Sequence, residues 1–251
     1  MNSPKIVFLD LETRPLLGYT WGRYETNVLE VYQSWAILSF AYKWLGEKRI
    51  HIKALPDYPR YKKDKQNDRD LVRDLWKLLD EAEVVIAQNG DSFDIKKARA
   101  RFIYHGLKPT SPFKTIDTMK VMRHRFAFDS NKLDDVSKEL KIGAKLPHTG
   151  WNLWKGCMEG NMKAWALMKR YNVHDIRLLE KLYLRLRPWI ENHPNYNLYL
   201  GSRMNCPNCG EPTLQKRGTL VQRSYIYIRY QCKNCGRWSK GEALKSLKPV
   251  S

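Results

Sequence analysis

The chain has 251 residues, 43% of them hydrophobic, enough to bury a sizeable core in one large domain or two unequal ones. Its 45 Lys and Arg against 26 Asp and Glu give a formal charge of +19, which argues against a carrier of small neutral ligands and for an acidic polymer or surface as partner. There is no signal-peptide hydrophobe at the N-terminus and no apolar run long enough to cross a bilayer, so a cytoplasmic protein with no membrane association is expected.

In chain order, residues 6–9 form a short apolar run that reads as a buried strand ending in Asp10-Leu11-Glu12. Residues 35–44 are β-rich, and a turn at Gly46 leads to a third strand near 50–54; the three read as an antiparallel meander. A polar loop over 57–69 precedes a helix marked by Leu71, Leu75, Leu78 and Leu79, and Val84 to Ala87 is a second buried strand. Asn89-Gly90 breaks that strand, and a helix follows over about 93–105, closed by Gly106. Residues 114–122 are expected to hold another short strand. Leu133, Val136 and Leu140 mark a short helix with Asn131 as N-cap. Residues 145–160 read as a loop, and 162–186 as a long helix that Pro188 stops. Division into a domain over 1–191, a linker over 192–202 and a small module over 203–251 is expected.

Asp10 and Glu12 are two apart on a strand and share a face, so both carboxylates can serve one metal cluster; burial beside apolar residues makes them costly unless a cation relieves the charge. Phosphodiester hydrolysis by two metal ions needs such a convergence of hard oxygen ligands, which suit Mg²⁺ or Mn²⁺. Asp91 and Asp94 lie between a strand and a helix, where open α/β sheets place their sites. Capping the helix is the competing role, and for Asp91 the favoured one. Tyr171 and Asp175 are i and i+4 on the long helix, an arrangement that occurs in ordinary surface pairs but can also hold a water in line.

Phe-Leu-Asp-Leu-Glu-Thr at 8–13, Asn-Gly-Asp-Ser-Phe-Asp at 89–94 and Tyr-Asn-Val-His-Asp at 171–175 together resemble the three motifs of the DnaQ-like DEDD exonucleases. Tyr171, in place of a His five residues before Asp175, resembles the DEDDy branch, and the second motif is similar to the proofreading domain of family B DNA polymerases. A stand-alone domain of this kind resembles phage-encoded versions, which would place it in a host cytoplasm, with replication or recombination proteins as possible partners. The resemblance covers about residues 4–190 and implies an α/β fold: an RNase H-like mixed sheet, the three-strand meander plus parallel strands, flanked by helices. It further implies 3'-5' exonuclease activity, with single-stranded DNA ends as favoured substrate and nucleoside 5'-monophosphates as products. Under it, Asp10 would bridge two Mg²⁺ or Mn²⁺ ions, Glu12 and Asp175 would complete one site, and Asp94 would anchor the second ion, largely through water. Tyr171 would orient the attacking water, and Thr13 would lie near the terminal 3'-hydroxyl. Asp117 is read as structural, and His174 as facing away from the site. Trp151 and Trp154 could stack on unpaired bases or pack in the core.

Residues 1–198 hold 35 basic and 24 acidic residues, whereas 199–251 hold 10 and 2, so positive charge is concentrated in the tail. Cys206, Cys209, Cys232 and Cys235 form two CxxCG knuckles with 22 residues between the inner cysteines, the pattern of a structural Cys₄ zinc site. Cys157 is left over, an unligated residue in the loop. Alternating Tyr225, Tyr227 and Arg229 suggest a β zinc ribbon, which resembles those of transposase-like and phage proteins. Arg203, Arg223, Tyr225 and Arg229 are candidates to grip nucleic acid, a protein-docking role being the alternative. A non-catalytic nucleic-acid adaptor and an RNA exonuclease are the other functions open to the sequence.

Overall fold

The computed structural model describes residues 4–201 and 204–246, so Arg203 lies outside the described residues. Its elements run β1 (Ile6–Arg14), β2 (Leu17–Tyr19), β3 (Glu30–Gln33), β4 (Ala36–Trp44), β5 (His51–Ala54), α1 (Arg69–Glu81), β6 (Val84–Ala87) and α2 (Asp94–Tyr104). Then come β7 (Lys114–Asp117), α3 (Thr118–Arg125), α4 (Leu133–Glu139), α5 (Trp151–Glu159), α6 (Met162–Leu186), α7 (Asn197–Leu200), β8 (Leu214–Gln222), β9 (Tyr225–Cys232) and β10 (Trp238–Ser246). They form two compact units, one of Lys5–Leu182 and one built from Tyr183 onward.

In the first unit a five-stranded sheet is ordered β5-β4-β1-β6-β7. β4 runs antiparallel to both its neighbours, β5 and β1, while β6 and β7 run parallel to β1. This is the expected mixed RNase H-like sheet, and it makes β1 the central strand. Ile6, Val7, Phe8 and Leu9 are fully buried because both faces of that strand are covered. α1 buries Leu71, Val72, Leu75, Leu78 and Leu79, one apolar stripe at helical spacing. β6 ends at Ala87 while its parallel neighbour β1 runs on to Arg14, so the β1 residues just beyond Leu9 extend past the end of β6 at one rim of the sheet.

Several elements differ from the sequence expectation. The segment 114–122 does hold a short strand, β7, and the rest of it is helix: the Asp117 carboxylate accepts hydrogen bonds from Met119 N and Lys120 N and starts α3. α4 begins at Leu133, with Lys132 at its cap; Ser130 Oγ, not Asn131, accepts the Lys132 N–H. Residues 151–159, expected as loop, are the helix α5, with Leu153 and Cys157 buried one turn apart. Cys157 therefore lies in a helix facing the core. Gly156 lowers the helical signal of this segment, yet a Cβ there would lie 2.8 Å from Ala164 Cβ, so its absence lets α5 approach α6 closely. The small two-stranded β2–β3 sheet was not anticipated. The expected linker at 192–202 contains α7 and a hydrogen bond from Tyr196 N to Pro207 O.

One buried ion cluster ties the approach to α1 to the sheet and α2. Asp68 is fully buried and accepts from Ile37 N (3.0 Å), Arg101 Nε (2.8 Å) and Arg101 Nη2 (2.5 Å), with His105 Nε2 at 2.7 Å. Removing the acid would strand a buried guanidinium and a strand N–H. Asp68→Ala is expected to destabilise this unit by about 3–5 kcal/mol, read as a lower urea midpoint; a change under about 1 kcal/mol would show the cluster to be dispensable.

Candidate active site and metal centres

The site forms where β1 passes the ends of β6 and α2 and the middle of α6. Asp10 and Glu12 alternate along β1, paired across to Ala41 and Ser39 of β4. α6 brings Asp175 over the strand, and one carboxylate oxygen from each of Asp10, Glu12 and Asp175 lies within 4.8 Å of the others. Asn172 fixes this approach. Its Nδ2 donates to Asp10 Oδ2 (2.5 Å) and to Asp10 O (3.2 Å), and its Oδ1 accepts from Ser39 Oγ (3.1 Å), so strand, helix and β4 are joined by one buried amide.

Asp94 stands beside this trio without joining it. It is buried at the start of α2, and its Oδ1 accepts the Leu11 N–H at 2.9 Å. Tyr171 lies one turn before Asp175 on α6, packed edge-on against His148 and Trp154. Lys145, which no sequence signal singled out, reaches into the site from the segment before α5: its Nζ donates to Tyr171 Oη (2.8 Å) and Asp175 Oδ2 (2.5 Å). Asn172 and Lys145 are the groups that sequence reasoning missed. A buried amide next to Tyr171 was a readable hint; a lysine in a loop was not.

The charges are poorly accommodated. Burial, then the neighbouring Glu12, Asp175 and Asp94, push Asp10 far above the usual carboxylate range, with Lys145 only partly opposing. Burial and Asp175 raise Glu12 to about 8, and burial raises Asp94 to about 7 despite the Leu11 N–H. Asp175 is raised by burial against the pull of Lys145, and its Oδ1 is buried with no hydrogen-bond partner. Burial and Asp175 also raise Tyr171, so its phenol stays protonated. Three converging carboxylates, an orphaned buried oxygen and hard donor chemistry fit a divalent cation of the Mg²⁺ or Mn²⁺ class.

The other candidates occupy different places. Thr13 is half-buried at a β-bulge, paired with Ile37. Trp154 packs against the core and hydrogen-bonds Glu12, whereas Trp151 is exposed at the start of α5. Asp91 does not cap α2 but pairs with Lys120 Nζ at 2.7 Å. Asp117 holds the turn after β6 through Asn89 N and Asp91 N. His174 lies beside Ala144 O.

The family described as RNase_H superfamily (RNase_H_2) matches residues 24–187. The chain belongs to the RNase H superfamily. The matched span contains Asp94, Lys145, Tyr171 and Asp175, while Asp10 and Glu12 precede it. Among solved structures the chain is similar to the family B DNA polymerase from the hyperthermophilic archaeon Pyrobaculum calidifontis, with a TM-score of 0.54 and 14% identity over 89% of this chain. This RNase H superfamily chain spans 32% of that polymerase, and the likeness is one of fold. No curated protein matches it.

The RNase H superfamily match stops before the cysteine pairs. In the second unit β10, β9 and β8 form an antiparallel sheet in that order. Each knuckle closes on a glycine in the left-handed region, Gly210 at φ 81° and Gly236 at φ 76°, whose N–H bonds back to Cys206 O and Cys232 O. The four Sγ atoms lie within 4.8 Å, with Cys206–Cys235 and Cys209–Cys232 both 3.7 Å apart. A zinc tetrahedron with bonds of about 2.3 Å has an edge of about 3.8 Å, so the thiols fit zinc and are too far apart for disulfides. Burial opposes ionisation of Cys232, but the Thr213 hydroxyl and the N–H groups of Cys235 and Asn234 draw its thiol down to about 7. On the sheet, Arg223 sits in the β8–β9 turn, Tyr225 stacks on Tyr227, and the Arg229 guanidinium lies 4.7 Å from the Trp238 ring. Among the described residues, no helix is long and apolar enough to cross a membrane.

The acidic cluster dictates a pH dependence. Glu12 rises from an ordinary 4.5 to about 8 on folding and Asp94 from 3.8 to about 7, so over that window the folded chain keeps protons that the unfolded chain has released. Stability must fall as pH rises through it. Urea denaturation of the chain stripped of Mg²⁺ and Mn²⁺ is expected to show falling stability from about pH 5 to about pH 8, flattened by either cation and shallower in Glu12→Gln. A flat profile in the stripped wild type would contradict the reading.

Proposed function

We propose that the protein is a metal-dependent 3'-5' exonuclease of the DEDDy type, hydrolysing phosphodiester bonds at the 3' ends of single-stranded nucleic acid, DNA in preference, and releasing nucleoside 5'-monophosphates. The observation that carries this reading is the convergence of Asp10, Glu12 and Asp175 within 4.8 Å beside a buried Asp94 and a tyrosine.

In this reading Asp10, Glu12 and Asp175 hold Mg²⁺ or Mn²⁺, and Asp94 supports a second ion. A pair of such ions supplies Lewis-acid activation of water and charge stabilisation at the leaving 3'-oxygen. The chain's own groups do the rest. Tyr171, kept protonated by burial and by Asp175, is a hydrogen-bonding group that holds the attacking water in line and not a base. Lys145 fixes that phenol and offsets the charge of Asp175. Its ammonium is held protonated by Asp175 and Tyr171 against its own burial. Asn172 keeps Asp10 aimed at the cluster. Thr13 lies one residue beyond Glu12, where a terminal nucleotide would end, and exposed Trp151 is available to stack on a base.

The domain over 1–191 would then carry the chemistry, and the zinc ribbon over 203–251 would tether substrate. Support for the tether is a cavity of about 680 Å³ in the second unit lined by Arg229, Arg237, Trp238 and Lys240, together with exposed Arg223 and Tyr225. Cations for phosphates and rings for bases suit an unpaired strand.

Incubated with 5'-labelled single-stranded DNA and Mg²⁺ or Mn²⁺, the protein is expected to shorten the strand from its 3' end. Asp10→Ala should abolish the ladder, and Tyr171→Phe and Lys145→Ala should slow it by about tenfold or more. Matched RNA strands measure the preference for DNA. An undegraded strand, or an Asp10→Ala variant as active as wild type, would refute the assignment.

A further inference from the structure

Beyond the acidic cluster, β1 ends in a second charged residue with a different environment. Arg14 lies two residues past Glu12, about 7 Å along the strand, after a bulge between Glu12 and Thr13 that changes the register with β4. It is only 8% exposed, and its Nε is buried with no hydrogen-bond acceptor. Among the described residues, no acid lies within ion-pair distance of it.

Arg14 lines a cavity of about 320 Å³ between the base of the β2–β3 hairpin and the end of α2. Gln33, the last residue of β3, lines the same cavity, and its Nε2 is also buried without an acceptor. Two residues from different elements thus line one polar space, each with a nitrogen buried behind the cavity wall that has no acceptor. The acids nearby do not answer the need. Asp68 spends both oxygens on Ile37 N, Arg101 and His105. Asp64, which lines the cavity, accepts the Gln66 N–H through Oδ1 and makes no ion pair with Arg14. Arg101 forms part of the wall, its guanidinium 4.0 Å from the Tyr104 ring and 5.6 Å from that of Trp35. Tyr104 and Tyr32 also line the cavity yet are 69% and 72% exposed, so their rings reach solvent.

Burying a guanidinium with unmet N–H groups is expensive unless an anion joins it. We propose that the cavity lined by Arg14, Gln33 and Arg101 is an anion subsite that takes one backbone phosphodiester of a nucleic-acid strand, with Tyr32 and Tyr104 offering their rings to the adjoining bases. The assignment rests on the reading of the acidic cluster as a nucleic-acid site. Because β1 carries both the acids and Arg14, a strand with its 3' end at Asp10 and Glu12 reaches the subsite within a few nucleotides. A phosphodiester matches a forked cationic donor and a neutral amide donor, whereas a base offers no comparable charge.

The test measures binding without hydrolysis. Fluorescence anisotropy of the full, zinc-loaded chain, with no Mg²⁺ or Mn²⁺ added, reads its affinity for single-stranded oligonucleotides that carry one neutral methylphosphonate linkage at successive positions from the 3' end. One position a few nucleotides from the end should weaken wild-type binding by about tenfold. Arg14→Gln should weaken binding of the unmodified strand by a similar factor, become indifferent to that one substitution, and lower the salt slope by about 0.7. Gln33→Leu, a change at a less buried residue, carries the same comparison should Arg14→Gln fail to fold. Equal tolerance of every neutral linkage by wild type, or an Arg14→Gln chain that binds the unmodified strand as tightly as wild type, overturns the proposal. If instead inorganic phosphate raises the melting temperature of wild type but not of Arg14→Gln while all linkages remain equivalent, the cavity takes a free phosphate and the strand assignment falls. A chain with the Arg14-linked position but no nuclease activity would refute only the exonuclease reading; degradation with no such position would refute only the subsite.

Discussion

Desolvation and mutual repulsion of four carboxylates, Asp94 and Asp175 buried and Asp10 and Glu12 half-buried, are the constraint around which the first unit is arranged. Asp10, Glu12 and Asp175 converge within 4.8 Å, with Asp94 close behind, and burial is the largest influence on every one of them. Holding Glu12 ionised at neutral pH against a value of about 8 costs on the order of 1 kcal/mol, and the other acids add to it. Relative to the 5–15 kcal/mol that a domain of this size has in hand, the full set is a large burden. The surrounding structure distributes that burden: the Leu11 N–H supports Asp94, Asn172 holds Asp10, Trp154 bonds Glu12, and Lys145 meets Asp175. None of these supplies a full counter-charge to three acids, which is the opening for a divalent cation.

The sheet order explains why the strain can be held at all. β1 is central, so its backbone is fixed on both sides, by β4 and by β6. Ser39 on β4 and Asn172 on α6 then lock helix to strand through a single buried amide. A site assembled from the middle of a central strand and the middle of a 25-residue helix is held more firmly than one placed on loops. The second unit meets a different problem. Its sheet exposes most side chains of β8 and β10, leaving little apolar area to bury, and the four thiols within 4.8 Å of one another fit a structural zinc, which would supply stabilisation on the order of 10 kcal/mol.

Much of this was legible in the residues because it depends on local pattern. The buried run before Asp10, the leucine spacing of α1 and the CxxCG pairs each carry their physical cause within a few positions. What escaped depends on tertiary partners. α5 hides behind Gly156, whose value appears only when Ala164 lies against it. The strand at 114–117 ends because the Asp117 carboxylate captures two N–H groups, a competition that propensity does not weigh. The β2–β3 sheet has exposed aromatic residues and no buried face to impose alternation. Lys145 reaches Tyr171 and Asp175 across 26 and 30 residues, and a lysine in an irregular segment gives no periodic signal at all.

The central claim is that the acids form a cation site and not merely a strained acidic core. The most direct measurement is a Mn²⁺ titration of the zinc-loaded chain, followed by electron paramagnetic resonance. Wild type should draw Mn²⁺ out of the free-ion signal, and Asp10→Asn or Asp175→Asn should weaken that binding by more than about tenfold, the lower end of what even an outer-shell partner costs. Mn²⁺ that stays free in wild type, or that binds equally well after either substitution, would contradict it.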